Sequence, residues 1–151
     1  MGDLFLINSL SALWLPAIVI LMLSTIAGRW VVLGKMGRRR WAAIVSAFST
    51  WEVSEGASGN RTLSVIASAS SAAYLVSALL GLGRYFETQW LATLLFAFWV
   101  VTQLIVSERL ARAFGAGSGY AAGLVLVPIA AYPLLVMDGR VYLGPVDGVK
   151  A

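Results

Sequence analysis

Four long stretches of the sequence contain no Asp, Glu, Lys or Arg, and they cover residues 4–28, 62–83, 88–107 and 113–137. An α-helix rises about 1.5 Å per residue, so each stretch is long enough to cross about 30 Å of hydrocarbon. Lipid offers no partner to backbone amide and carbonyl groups, which favours helices at these positions. The sequence therefore predicts an all-α, polytopic membrane protein with four transmembrane helices, in a single domain over residues 1–151.

The composition agrees with a lipid environment, since 60% of the residues are hydrophobic and only 12% are charged. A soluble domain carries about 25% charged residues. The chain has neither Cys nor His, which excludes disulfides, thiolate metal sites and histidine ligands for haem or zinc. The predicted spans hold no charged side chain, so we predict no enzyme, no catalytic residue, no metal and no cofactor, while a bound lipid is compatible with the sequence.

The first stretch differs from a secretory signal sequence. A signal sequence begins with basic residues and has a short apolar run. Here Asp3 precedes the run, and the run extends over residues 4–28. We therefore expect a retained helix.

The basic residues predict how the helices are oriented. Eight of the eleven Lys and Arg residues fall in the loops after the first and third stretches, and three fall elsewhere. The positive-inside rule places those two loops in the cytoplasm. The prediction is a multi-pass protein of the bacterial inner membrane with both termini on the non-cytoplasmic side.

A short amphipathic helix is predicted over residues 41–52, in the loop after the first span. Its apolar residues recur at helical spacing and are Trp41, Ile44, Val45, Phe48 and Trp51. Such a helix is expected to lie in the membrane interface with this face in lipid. The basic residues before it favour either a topology signal with a packed connector or a surface that docks lipid or a partner protein. The candidate docking residues are Lys35, Arg38, Arg39, Arg40, Trp41 and Trp51.

The second span is rich in small residues, which allow helices to approach closely in lipid. Ser64, Ser68 and Ser71 share one of its faces, and Gln103 is the one strongly polar side chain of the third span. We interpret these four residues as helix-packing residues. The alternative is a hydroxyl-lined path through the membrane.

A glycine-rich turn separates the third and fourth stretches and carries a family resemblance. Its residues, with the two prolines that follow, are Arg112, Phe114, Gly115, Gly117, Gly119, Tyr120, Pro128 and Pro133. An upstream element matches at Lys35, Gly37, Trp41, Ala42 and Ala43. In these two motifs the chain resembles a family of small bacterial membrane proteins of unknown function, some of which are encoded with or fused to signal peptidase I. The resemblance implies four membrane helices with an interfacial helix, and it implies no activity.

Three functional hypotheses follow. The first is an accessory or scaffolding subunit that packs against other integral membrane proteins or against itself, in contact with membrane lipids. The second is a homo-oligomeric channel or transporter for a small solute. The third is an enzyme acting through Glu52, Glu55 or Arg112, although we interpret the two glutamates as a solvated helix face. Nucleic acid is not an expected partner, because the arginine-rich turn is too narrow to follow a phosphate backbone.

Overall fold

The computed structural model describes residues 2–147, with side chains from residue 16 onward except those of residues 18, 129 and 136. These residues form helices and turns and no β-strand, which confirms the all-α prediction. The helices are α1 (Gly2–Lys35), α2 (Ser46–Ser58), α3 (Arg61–Leu79), α4 (Phe86–Ala113), α5 (Ser118–Leu126) and α6 (Pro128–Met137). Two 3₁₀ helices, Arg40–Ile44 and Leu82–Arg84, precede α2 and α4.

Two helices in the described part of the chain, α3 and α4, are long and apolar enough to cross a membrane. They correspond to the predicted second and third spans. Four spans are not confirmed. The first predicted span lies within the 34-residue α1, but the side chains of its residues 4–15 lie outside the described residues.

Helices α3 and α4 form an antiparallel hairpin. The hydroxyls of Ser70 and Thr102 are 2.8 Å apart, and the rings of Tyr74 and Trp99 stack with centroids 5.0 Å apart. Asn60 caps α3 by accepting hydrogen bonds from the amides of Thr62 and Leu63, which supplies partners to two otherwise free N–H groups.

The predicted fourth span, residues 113–137, is wrong as a single helix. The chain breaks at Val127, where φ is −135° and ψ is 62°, and Pro128 begins α6. Helix α6 then folds back along α5, so that a Cβ built on Gly123 would lie 3.7 Å from Cβ of Ala131. Proline has no N–H to continue the α5 ladder, and the small residues allow the two arms to close. We call residues 118–137 the second short hairpin.

The predicted interfacial helix over residues 41–52 is also corrected. The 3₁₀ helix runs away from the C-terminal end of α1, since Ile44 lies beside Met22 and Ile26. Helix α2 then returns toward that end, since Gly56 lies beside Met36. The two form a first short hairpin, residues 40–58, packed against α1, α3 and α4.

The faces of this first short hairpin are arranged around a polar interior. Ser49, Thr50 and Ser54 are buried, whereas Trp41, Ile44 and Val45 are at least half exposed. Three residues of the predicted apolar face therefore point outward, whereas Phe48 packs against the core. The contact with the bundle contains both polar residues and the buried apolar residues Ala42, Ala43, Val53 and Ala57.

Both short hairpins begin and end at one end of the bundle, which we call the basic end; α1 and α4 finish there and α3 starts there. The C-terminal tail, residues 138–147, crosses this end: the amide of Leu143 donates to the carbonyl of Ala113 at 2.8 Å, and that of Asp147 to Ser58 at 2.9 Å. Helix α1 starts at the opposite end. The prediction that both termini lie on the non-cytoplasmic side of a membrane is therefore not confirmed.

Candidate functional site

A charged cluster occupies the basic end beside α2. Arg38 donates to Glu55 Oε2 at 2.9 Å and to Glu52 Oε2 at 3.3 Å. Trp51 Nε1 donates to the same Glu55 oxygen at 3.2 Å. The side chain of Glu52 is only 9% exposed, so the interpretation of a solvated face is wrong for Glu52, whereas the side chain of Glu55 is 30% exposed. Arg38 supplies the charge that the buried Glu52 requires.

A cleft of about 530 Å³ opens over this cluster, with Arg39, Phe48 and Trp51 in its walls. The carboxylates of Glu52 and Glu55 and the guanidinium group of Arg38 also line it. Because Arg38 already engages both carboxylates, the cluster stabilises the first short hairpin, and only Arg39 is left to attract an anion from solution.

Of the six candidate docking residues, Trp51 is half-buried and bonds to Glu55, and the other five divide into two sets. Lys35 and Arg38 turn inward: Lys35 Nζ donates to the carbonyl of Arg140 at 3.0 Å, and Arg38 holds the glutamates. Arg39, Arg40 and Trp41 are exposed on the outer face, where Trp41 stacks on Phe48 with ring centroids 5.1 Å apart. Only the outer set retains a surface able to meet lipid headgroups or a partner.

The C-terminal tail satisfies helix ends at the basic end. Besides the bonds to Ala113 and Ser58, the amide of Val146 donates to Ala57 at 2.9 Å, and Tyr142 Oη donates to the carbonyl of Gly56 at 2.5 Å. The last carbonyls of a helix have no partner within the helix. The tail supplies that partner for α2 and α4 and ties the first short hairpin to the rest of the chain.

Burial raises the pKa of the Tyr142 hydroxyl, and the positive charge of Arg38 partly opposes this rise. The folded state therefore disfavours the ionised form. The stabilising contribution of this hydroxyl is fully present below the ordinary tyrosine pKa of 10.0 and is lost as the pH rises through the higher pKa of the folded state.

Tyr142→Phe should lower the free energy of unfolding at neutral pH by about 1 kcal/mol, because the carbonyl of Gly56 loses its donor. It should also remove the loss of stability that Tyr142 ionisation causes in the wild type above about pH 10. Thermal unfolding in detergent across this pH range measures both effects. Tyr85→Phe, at an exposed tyrosine, is the control; an equal alkaline loss in wild type and Tyr142→Phe would contradict the role of the hydroxyl.

Buried hydroxyls form a seam between α2, α3 and α4, and all four predicted packing residues take part in it. Ser64 donates to Ser54 at 3.4 Å, Ser71 donates to Thr50 at 3.3 Å, Ser68 donates to the carbonyl of Ala47 at 3.0 Å, and Gln103 Nε2 donates to Ser71 at 3.2 Å. Such bonds hold helices together in lipid. We name this set the hydroxyl seam.

The residues of the glycine turn have separate roles at the basic end. Gly115 has φ of +64°, a left-handed conformation that favours glycine, and its carbonyl accepts from Arg140 Nη1 at 2.9 Å. Phe114 is buried against Tyr142, with ring centroids 5.5 Å apart, and the Arg140 guanidinium lies 5.4 Å from the centre of the Tyr120 ring.

Four other members of the motif lie apart from this contact. Arg112 is exposed and pairs with Glu108 one helical turn earlier. Gly117 and Gly119 have open space around them. Pro133 lies against Gly28 of α1, where its ring Cδ would be 3.3 Å from an added Cβ.

Arg29 follows the first charge-free stretch, and the sequence therefore predicted it to lie in a loop. Arg29 lies inside α1, six residues before its end at Lys35, and donates from Nη1 to Ser49 at 3.3 Å. Its guanidinium carbon lies 5.4 Å from the centre of the Tyr132 ring.

The described residues contain no group of three or more Asp, Glu, His or Cys side chains able to hold a metal ion. Comparison with known proteins finds no matching family, curated relative or solved structure. The family resemblance of the two motifs therefore stays a prediction, as does the absence of a cofactor.

Proposed function

We propose that the chain is a small integral membrane subunit that packs against other membrane proteins as an accessory or scaffolding component. The observation that carries this proposal is the far part of the α3–α4 hairpin, toward Leu79 and Phe86. The described side-chain hydrogen bonds from α3 to α2 extend only to Ser71, in the middle of α3. Among the described residues, α3 and α4 also contact each other and the short connection between them. Only 17% of the most apolar window of α4 is buried.

Large apolar side chains cover this far part of the hairpin, and we call them the far face. Its exposed members are Leu75, Val76, Leu79, Phe86, Trp90, Leu94 and Phe98. In lipid such a surface is stable, and it also offers knobs and grooves to the helices of another protein. An exposed apolar surface of this size suits contact with lipid or with the helices of another membrane protein.

The proposed orientation places the basic end in the cytoplasm. Arg140 lies at that end beside Gly115, so nine basic residues are there and Arg84 is at the other end; Lys150 lies outside the described residues. The positive-inside rule then puts the basic end in the cytoplasm. With α3 and α4 as crossing helices and α1 proposed as a third, both short hairpins enter from the cytoplasmic side. The described C-terminal tail is then cytoplasmic.

The hydroxyl seam favours packing over the channel alternative. Its side chains bond to one another or to backbone carbonyls; Ser64, Ser71 and Gln103 are buried, and the half-buried Ser68 bonds to the carbonyl of Ala47. A conducting path needs polar groups that exchange partners with water or solute. The enzyme hypothesis loses support for a related reason, because Arg38 already binds both Glu52 and Glu55.

Photo-crosslinking in intact cells tests the proposal. A crosslinking amino acid at position 94, on the far face, should yield discrete adducts with other membrane proteins, whereas the same amino acid at the buried position 106 should yield none. In mild detergent the wild type should elute as a complex, and the double variant Trp90→Ser with Leu94→Ser should elute as the chain alone.

Two outcomes would contradict the proposal. The first is a monomer in mild detergent with no protein adduct at position 94. The second is solute flux into liposomes that contain only this chain, abolished by Ser68→Leu; that result would establish the channel instead.

A further inference from the structure

A groove of about 320 Å³ lies between α1 and the first short hairpin. Met22 and Ile26 of α1 and Ile44 of the 3₁₀ helix form its apolar wall, and Arg29 and Ser46 line it as well. The groove is separate from the cleft over Arg38 and from the far face, so its occupant does not depend on which proteins the chain packs against.

Arg29 differs from the other arginines that have assigned partners. Arg38, Arg109, Arg112 and Arg140 each pair with a carboxylate. Within the described residues Arg29 has the Ser49 hydroxyl and the Tyr132 ring as its contacts, and its Nε is buried without a hydrogen-bond partner. Neither contact carries a negative charge.

An arginine at membrane depth with no counter-charge is costly, and an anion that binds there offsets the cost. Arg29 is six residues from Lys35, the last residue of α1, a rise of about 9 Å along the helix. In the orientation proposed above, on which this step rests, Arg29 lies just below the basic end, where the headgroups of the cytoplasmic leaflet meet the hydrocarbon. A guanidinium is the group best suited to bind a phosphate at such a site.

We propose that this groove binds one anionic phospholipid, with its phosphate on Arg29 beside Ser46 and an acyl chain along Met22, Ile26 and Ile44. The pairing of a single cationic group with an apolar wall matches a molecule that has one anionic headgroup and long hydrocarbon chains. A free anion has nothing to place against the wall, and an uncharged lipid leaves Arg29 without a partner. Basic pockets between membrane helices on the cytoplasmic side bind such headgroups.

Native mass spectrometry of the detergent-purified protein, titrated with phosphatidylglycerol, measures this binding. Arg29→Gln should weaken the tightest phosphatidylglycerol site about tenfold, because it removes a charge-assisted hydrogen bond. Arg112→Gln removes the same charge from an exposed pair with Glu108, outside the groove, and should leave the affinity within about twofold of wild type. Equal losses of phosphatidylglycerol affinity in the two variants would show that net charge alone controls binding, and would overturn the proposal.

A second pair of variants leaves Arg29 in place, in case its replacement prevents folding. Ile44→Glu puts a negative charge on the wall of the groove, and Val45→Glu puts it on the next residue, outside the groove. Both positions are at least half exposed, so both variants should fold. Only Ile44→Glu should weaken phosphatidylglycerol binding, and equal effects would contradict the site.

Competition separates a lipid from a free anion. Inorganic phosphate added in excess should leave phosphatidylglycerol bound, and phosphatidylcholine should bind more weakly because its choline group neutralises the headgroup. Displacement of the lipid by inorganic phosphate would overturn the lipid assignment.

Discussion

Replacing Gly28 with leucine is expected to separate α1 from α6 and to lower the free energy of unfolding by about 3 kcal/mol. Gly28 is buried where α1 crosses α6. A Cβ at this position would lie 2.5 Å from Cβ of Tyr132 and 3.3 Å from Cδ of Pro133. Neither neighbour is the flexible end of a long side chain, so the helices themselves have to move apart.

Helix propensity acts in the opposite direction and is too small to prevent this. Glycine inside a helix is about 1 kcal/mol less favourable than alanine, and leucine is nearly as good a helix former as alanine. The steric cost at Gly28 exceeds that gain, because the whole contact between α1 and α6 depends on the close approach. The displacement would also move Tyr132 away from Arg29.

Thermal unfolding and size-exclusion chromatography in detergent test this expectation. Gly117→Leu is the matched control, since Gly117 has a φ of −78° and nothing within 4 Å of an added Cβ. It should unfold at nearly the wild-type temperature. A Gly28→Leu protein as stable as Gly117→Leu would show that α1 and α6 are not in contact through Gly28.

The charge-free stretches predicted α3 and α4 to within a few residues at three of their four ends. Stretch 62–83 corresponds to Arg61–Leu79, and stretch 88–107 begins close to Phe86. This works because a helix in lipid needs only length and an apolar surface, and both are local properties. The α4 helix continues to Ala113 because charged residues extend a helix freely once it reaches the basic end.

The two short hairpins were not predictable by the same reasoning. Residues 113–137 are as apolar and as long as a crossing helix, and Pro128 by itself indicates a bend of unknown size. What turns the bend into a hairpin is the approach of Gly123 to Ala131 and the contact of Arg140 with Gly115. Such contacts between distant residues leave no pattern in local hydropathy.

The polar residues of α2 illustrate a second reason. In water the apolar face of a helix turns inward, but in lipid the apolar face can remain outside. Amphipathic spacing therefore shows that α2 has two faces without showing which one is buried. Ser49 and Ser54 became buried because α3 offers hydroxyl partners, as in the Ser64–Ser54 hydrogen bond. The Ser64, Ser68 and Ser71 pattern was the one available signal for this seam.

Arg38→Gln is expected to lower the free energy of unfolding by about 3 kcal/mol, because it leaves Glu52 buried without its counter-charge. Removing one partner of a buried pair costs about 3–5 kcal/mol. We take the lower end, since the Arg38 side chain is 32% exposed and solvent screens part of the interaction. Glu55 loses the same partner, but its side chain is 30% exposed and water can replace the arginine there.

The matched control is Arg112→Gln, which breaks the exposed pair with Glu108. The side chains of that pair are 63% and 48% exposed, so the change should alter stability by less than about 0.5 kcal/mol. Both variants remove one positive charge from the basic end. A difference between them therefore reports burial of the partner carboxylate rather than net charge.

A double-mutant cycle identifies Glu52 as the residue through which the Arg38 effect acts. Adding Glu52→Gln to Arg38→Gln removes the uncompensated buried charge, so the double variant should be about 1–2 kcal/mol more stable than the sum of the single losses predicts. The corresponding cycle with Glu55→Gln should show a smaller coupling, because water reaches that carboxylate. If the losses of Arg38→Gln and Glu52→Gln were additive, Arg38 would stabilise the first short hairpin through packing alone. The ion pair with Arg38 would then not explain why Glu52 is buried.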